Sequence, residues 1–213
     1  MENNLFRGKL VRLTAEDPQT FAEADSRWSR DSEYWRLLDC DPSYPRSARL
    51  VKERIEKNLA QDQPEFLHFM IRKLEDNRVI GEIGLDGISW THREAFVGIG
   101  IGERDQWGKG YGTDAMRLIL RFGFSEMNLM RISLDVFEYN LRAIRSYEKI
   151  GFVHEGRLRG ALRRDGSRYD MLYMGITREE WRAMSEREQG ENRMVPQPAR
   201  AESITVESLE LTG

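Results

Sequence analysis

A chain of 213 residues, 39% hydrophobic and 32% charged, is long enough for one good-sized soluble domain with some chain to spare. A net charge of −3 lacks the basic excess that nucleic acid demands; the single Cys40 excludes an intramolecular disulfide, and three scattered histidines give no zinc pattern. The opening MENNLFRGKLVRL has no apolar leader core and no run approaches the length of a membrane span. The sequence therefore reads as cytosolic, with no nucleic-acid partner, no membrane partner and no metal.

In chain order, LFRGKLVRLTAEDP alternates apolar and polar residues and stops at Asp17-Pro18, which predicts a first strand. Residues 19–37 and 47–60 carry helical spacing, with Phe21, Ala24 and Trp28 in the first and Leu50, Val51, Ile55 and Leu59 in the second. The proline-bearing loop DCDPSYPRS separates them. EFLHFMIRKL and RVIGEIGLDGI are strand runs joined by a hairpin signal at Glu75-Asp76-Asn77. EAFVGIGIGE is a third run, with Val97, Ile99 and Ile101 on one face and glycine between them. Glycine at alternate positions weakens a strand and often marks close approach by a ligand or another backbone.

A helix over 113–124 presents Ala115, Met116, Ile119, Leu120 and Phe122 to the core, and RISLDVFEYN is again a strand. Asn140 N-caps a helix over 141–150 that Gly151 ends, and two strands flank Asp165-Gly166. The domain is expected over residues 1–185. From about Glu186 the chain is polar, holds Pro196 and Pro198 and loses periodicity, so residues 186–213 are expected to be a disordered or loosely attached tail. No internal repeat is evident.

The stretch GERDQWGKGYGTDAMRLIL, residues 102–120, alternates Gly108, Gly110 and Gly112 with Lys109 and Tyr111 directly before a helical pattern. The first turn of a helix offers unpaired N–H groups and positive dipole, so such a loop suits a phosphate-bearing ligand; a flexible turn is the equally weighted alternative. It is not a P-loop, because Lys109 is followed by Gly110. It is not a dinucleotide fingerprint either, because the last glycine place, counted from Gly108, holds Thr113.

QWGKGYGTDAMRLIL, followed by LDVFEYNLRAIRSYEKIGFVHEG, resembles the acyl-CoA-binding core of the GCN5-related N-acetyltransferases, nearest the branch that includes the ribosomal-protein N-terminal acetyltransferases. The resemblance covers roughly residues 5–183 and is strongest over 94–175. It implies a mixed α+β fold: a mostly antiparallel sheet of six to seven strands, splayed between the fourth and fifth, with helices on both faces. It implies that the loop from Trp107 to Thr113 (Trp107, Gly108, Lys109, Gly110, Tyr111, Gly112, Thr113) wraps the coenzyme A pyrophosphate, largely through backbone N–H; Lys109 adds charge there or, at least as readily, is a solvent-facing loop lysine. Trp107 departs from the family's Gln/Arg at the head of that loop, with Gln106 one residue earlier. Backbone at Ile99 and Ile101 would pair with the pantetheine arm, and Asn140 belongs to the same coenzyme-binding set.

Acetyl transfer from a thioester to an amine needs a neutral amine, donors for the developing oxyanion and a proton for the departing thiolate. The resemblance gives the last task to Tyr147, whose phenol keeps its proton at neutral pH; a core tyrosine sharing a helix face with Ile144 is the alternative. For the base, Asp135 and Glu103 are the candidates, with Glu82 a third able to relay a proton through water. An aspartate on an alternating strand serves an arginine partner equally well, and His92 reads as an exposed turn residue. DSRWSRDSEYWRLLDCD mixes Trp28, Tyr34 and Trp35 with Asp25, Asp31, Glu33, Asp39 and Asp41. That lining suits a cationic amine, although a solvated charged helix face reads as well. Trp90 and Trp107 are further candidates for groove walls. The expected partners are acetyl-CoA as cosubstrate and an amine acceptor, a protein N-terminus or a small amine such as a polyamine or aminoglycoside. A homodimer is left open, and the rival from another class is a catalytically silent acyl-CoA-binding module.

Overall fold

The computed structural model describes residues 4–15, 17–60 and 66–194. Strand β1 (Val11–Ala15) leads into helix α1 (Pro18–Trp28). Pro18 occupies the first turn, where no N–H is needed, and the Asp17 carboxylate accepts from Thr20 N. The single helix expected over 19–37 is two. After Trp28 the chain turns, and the Asp31 side chain accepts from Glu33 N and Tyr34 N to start α2 (Ser32–Leu38). Arg104 grips the same Asp31 through Nη2 at 2.6 Å, so the break is held by a distant segment. Helix α3 (Ala48–Leu59) follows, and then the hairpin β2 (Phe66–Lys73) and β3 (Val79–Ser89), whose turn places Asn77 at φ 61°.

Strand β4 (Glu94–Ile101), helix α4 (Tyr111–Ser125), β5 (Arg131–Phe137), α5 (Leu141–Ile150), β6 (Val153–Arg164), β7 (Ser167–Thr177) and α6 (Arg178–Met194) complete the described chain. Helix α4 begins two residues before the expected 113. Phe122 is only half-buried and packs with Phe6 and Phe69 at the edge of the core. α5 has the expected caps: Asn140 Oδ1 accepts from Ala143 N at 3.3 Å, and Gly151 closes it at φ 101°. α6 runs to Met194, nine residues into the segment expected to be irregular; residues 195–213 of that expected tail lie outside the described residues.

The seven strands form one sheet in the order β1-β2-β3-β4-β5-β7-β6. Every neighbouring pair is antiparallel except β4 and β5, which run parallel and pair only over Glu94–Phe96 against Arg131–Ser133. Side chains alternate across a strand, so adjacent residues feed opposite faces. Ile71, Ile83, Leu85, Ala95, Val97, Leu134 and Val136 join α4 and α5 in the larger apolar core. Met70, by contrast, packs with Phe21, Trp28, Tyr34, Trp35, Val51 and Ile55 of α1, α2 and α3. The expected arrangement, helices on both faces of a mostly antiparallel sheet that opens between β4 and β5, is the one observed. Among the described residues no helix is long and apolar enough to cross a membrane.

Candidate active site

Beyond Phe96, β4 leaves β5. The Gly102 N–H donates to Ile80 O on the β3 side at 2.9 Å, whereas Arg93 O accepts from Met130 N next to β5. Backbone groups alternate in direction along a strand, so Val97, Ile99 and Ile101 turn their N–H and C=O toward the gap. The Ile101 carbonyl is used, accepting from the Trp107 indole at 2.6 Å. The edge at Val97 and Ile99 faces a cleft of about 760 Å³ that runs between the two splayed strands.

The mouth of that cleft is the start of α4. Gly108 and Gly110 sit at φ 74° and 87°, left-handed backbone that costs a non-glycine residue about 1–2 kcal/mol. Gly110 is the N-cap and offers no side chain to the helix, and the first intrahelical bond is Asp114 N to Gly110 O at 3.0 Å. The N–H groups of Tyr111, Gly112 and Thr113 therefore lie ahead of the hydrogen-bonded ladder, aimed out of the helix end with its positive dipole behind them. Asp114, a carboxylate in the first turn, turns away from this opening. It accepts from Lys9, Leu10 and Val11 N at 3.2, 2.7 and 3.0 Å and so pins the start of β1 to α4. Thr113 Oγ1 meets Ser146 Oγ at 2.9 Å, fixing α4 against α5.

Tyr147 projects from α5 into the same cleft, its ring edge-on to Phe152 with centroids 5.9 Å apart. Its hydroxyl makes no hydrogen bond to another described residue. Burial, and then the charge of Asp135, push the phenol up to about 12, so it stays protonated as a donor must. Asp135 lies on β5 between the core residues Leu134 and Val136, which turns it to the opposite face of the sheet, toward α2. Asp39 and Asp86 line the cleft on that side too. Burial raises the Asp135 carboxyl above the usual range, with Asp39 adding to it; Asp86 is raised by burial and by Asp135. The cleft thus passes through the sheet, from a helix N-terminus on one face to carboxylates on the other.

Eleven of the fourteen residues singled out as catalytic or coenzyme-binding line this cleft; Lys109, Glu103 and Glu82 do not. Lys109 is exposed on the outer side of the loop. Glu103 is held by Arg27 Nη2 at 2.6 Å, by Trp28 Nε1 at 2.9 Å and by Arg78. Burial alone would raise its carboxyl, but those hydrogen bonds and charges leave it lowered, so it is an ion-pair hub and a poor proton acceptor. Asn140 lines the cleft with its amide already spent: besides capping α5, Nδ2 donates to Leu37 O at 3.3 Å and ties α5 to the end of α2. His92 and Trp90 are exposed in the β3–β4 turn, away from the cleft. Arg142, which no sequence motif marks, lies 3.7 Å over the Trp107 ring and bridges the loop to α5 across the mouth. Asp39, Cys40 and Asp41 bring three ligand-type atoms within 4.8 Å of one another at the exposed lip. Partial burial and the flanking carboxylates raise the Cys40 thiol.

The splayed mixed sheet, with a glycine-led helix at its opening, is the arrangement that the resemblance to the N-acetyltransferases implies. The chain matches the family model "Acetyltransferase (GNAT) domain" over residues 7–153, more than half its length, and it belongs to that family of N-acetyltransferases. It is 30% identical over 175 residues to YokL, a prophage-derived and uncharacterised N-acetyltransferase of Bacillus subtilis strain 168, spanning 82% of this chain and 93% of YokL. It is 36% identical over 90 residues to the spermidine N(1)-acetyltransferase of Vibrio cholerae, 42% of this chain and 51% of that protein. The crystal structure of the Vibrio cholerae spermidine N-acetyltransferase in complex with CoA and spermine superposes with a TM-score of 0.68. It covers 80% of this chain and 97% of that one at 24% identity, a likeness of fold.

Proposed function

We propose that this N-acetyltransferase takes its acetyl group from acetyl-CoA and delivers it to a cationic primary amine by direct attack within a ternary complex. The observation that carries the reading is the slot through the sheet, with free helix N–H groups at one mouth and Asp39, Asp86 and Asp135 at the other. Acetyl-CoA fits the first mouth: the N–H groups of Tyr111, Gly112 and Thr113 suit a pyrophosphate, and the unpaired edge at Ile99 suits the amides of a pantetheine arm. The bound coenzyme supplies the acetyl group already activated as a thioester.

This chain's residues do the rest. The three carboxylates concentrate an ammonium at the far mouth and hold it toward Ile99, whose N–H is free to donate to a carbonyl oxygen. Tyr147 stands on the coenzyme face with its proton retained and delivers it to the thiolate that departs. A polyamine-like acceptor with a second positive charge suits three acids better than a neutral peptide end does, and the spermidine acetyltransferases among the relatives support that choice.

The reading is tested by following free thiol release from acetyl-CoA with polyamines, aminoglycosides and peptides of varied N-terminus. Turnover with polycationic amines above neutral-ended peptides is expected. Coenzyme binding by calorimetry with no turnover on any acceptor would overturn it in favour of a silent binding module.

A further inference from the structure

Glycines clear a second chamber of about 220 Å³ on the α2 face of the sheet, opening into the cleft past Leu38, Asp39 and Gly98. Gly84 pairs with Gly98 across β3 and β4, and Glu82 pairs with Gly100. A Cβ at Gly98 would meet nothing within 4 Å, whereas one at Gly100 would strike the Tyr34 hydroxyl and one at Gly84 would strike the Leu67 carbonyl at 2.7 Å and lie 3.2 Å from the His68 ring. The missing side chains thus let Tyr34 and His68 lie on the sheet beside the empty space over Gly98. Between them stands Glu82: Tyr34 Oη donates to its Oε1 at 3.2 Å and His68 Nε2 meets its Oε2 at 2.8 Å. Near it, Asp25 is 1% exposed, and its Oδ2 has no hydrogen-bond partner among the described residues.

We infer that Glu82, braced by His68 and Tyr34 and opening on the chamber over Gly98, accepts the proton that the acceptor ammonium must lose before it can attack. This rests on the acetyltransfer reading above and assigns its base. Asp135 faces the cleft with no side-chain hydrogen-bond partner among the described residues, whereas Glu82 has one on each oxygen. The groups facing Glu82 are Tyr34 from α2, His68 from β2, Asp25 from α1, Arg54 from α3, Arg46 from the loop before α3 and Asp86 from its own strand. The balance of the step is R–NH₃⁺ plus acetyl-SCoA giving the N-acetyl amine, CoA-SH and one proton. The first proton passes through water to Glu82. The amine lone pair then forms the C–N bond as the C–S bond breaks, sulfur takes the Tyr147 proton, and the second nitrogen proton restores the tyrosine. The proton on Glu82 leaves to solvent through the chamber.

The test compares kcat against pH for wild type, Glu82→Gln, Tyr34→Phe and Asp135→Asn, using a polyamine that the wild type acetylates. Glu82→Gln should lower kcat at neutral pH on the order of 10²-fold, and its kcat should keep climbing with pH where the wild type levels off. Coenzyme affinity by calorimetry should be unchanged. With a low-pKa acceptor already neutral at the assay pH, such as an alkoxyamine, the defect should shrink to less than about threefold, which a merely distorted site would not do. Tyr34→Phe keeps the ring and should shift the rise in kcat without abolishing it. A Glu82→Gln enzyme with the wild-type profile, or one equally slow on both acceptors, overturns the assignment; so does an Asp135→Asn enzyme that alone loses the plateau. No wild-type turnover on any amine is instead a failure of the acetyltransfer reading.

Discussion

The two mouths of the cleft are built from different materials. On the α4 face the groups that meet a ligand are backbone: three N–H groups ahead of the α4 ladder and the unpaired edge at Ile99. On the α2 face they are side chains, Asp39, Asp86, Asp135 and Glu82, drawn from the C-cap of α2 and from β3 and β5. A backbone site is written in consecutive residues, because its requirement is glycine at positive φ followed by a helix. A side-chain site is written in strand register, which no short stretch contains. The first mouth should therefore tolerate changes of side chain but not of backbone, and the second the reverse.

The largest break in that contrast is expected from Gly110→Glu. Gly110 holds φ 87°, and a carboxylate there would bring strain and negative charge to the helix end. Acetyl-CoA affinity by calorimetry should fall at least about 100-fold, a loss of ~3 kcal/mol, with the circular dichroism of the fold retained. Undiminished affinity would remove the loop from the site. Next comes Tyr147→Phe, which keeps the ring against Phe152 and removes only the donor. A fall in kcat of about 10–10³-fold is expected with KM and coenzyme affinity nearly constant. A fully active variant would return Tyr147 to the core and leave the coenzyme mouth as described.

The acceptor side carries a stability cost that pH exposes. Burial, and then the charge of Glu82, raise the Asp25 carboxyl from 3.8 to about 6, while Arg46, Arg54 and His68 pull the other way. A raised acid means that the folded state binds the proton more tightly than the unfolded one. The stability it gives is full below about pH 4 and is lost as pH rises through about 6, reaching on the order of 3 kcal/mol at pH 8. Asp25→Asn should remove that slope. Melting temperatures of the variant and wild type should coincide near pH 4 and separate at pH 8 with the variant higher. A gap that does not change with pH would show that the Asp25 carboxyl ionises alike in the folded and unfolded protein, so that its burial costs nothing.

What the sequence made legible follows the same division. Asn140 and Gly151 bound α5 within one turn of each end, so residue identity alone placed them; likewise the glycine loop announced α4, two residues late. The Glu82–His68 contact needs β2 and β3 in register, and Tyr34 needs the break after Trp28 that Arg104 holds from 73 residues away. Glu103 shows the same division. It sits beside the splay in sequence, but Arg27, Trp28 and Arg78 arrive from two other elements and occupy its carboxylate.

The smallest effect is expected at a side chain within the coenzyme mouth itself. Lys109 stands between Gly108 and Gly110, and a cation in a phosphate loop invites a role in binding. Its side chain is exposed and outside the cleft, and an exposed charge contributes only about 0–1 kcal/mol to an interaction through screening water. If the pyrophosphate is held by N–H groups of Tyr111, Gly112 and Thr113, Lys109→Ala leaves all three donors and both left-handed glycines in place. Acetyl-CoA affinity should then change by no more than about fivefold, and the difference should vanish as salt is raised. A loss approaching that of Gly110→Glu, persisting at high salt, would mean that the loop binds through its lysine and that the backbone account of this mouth is wrong.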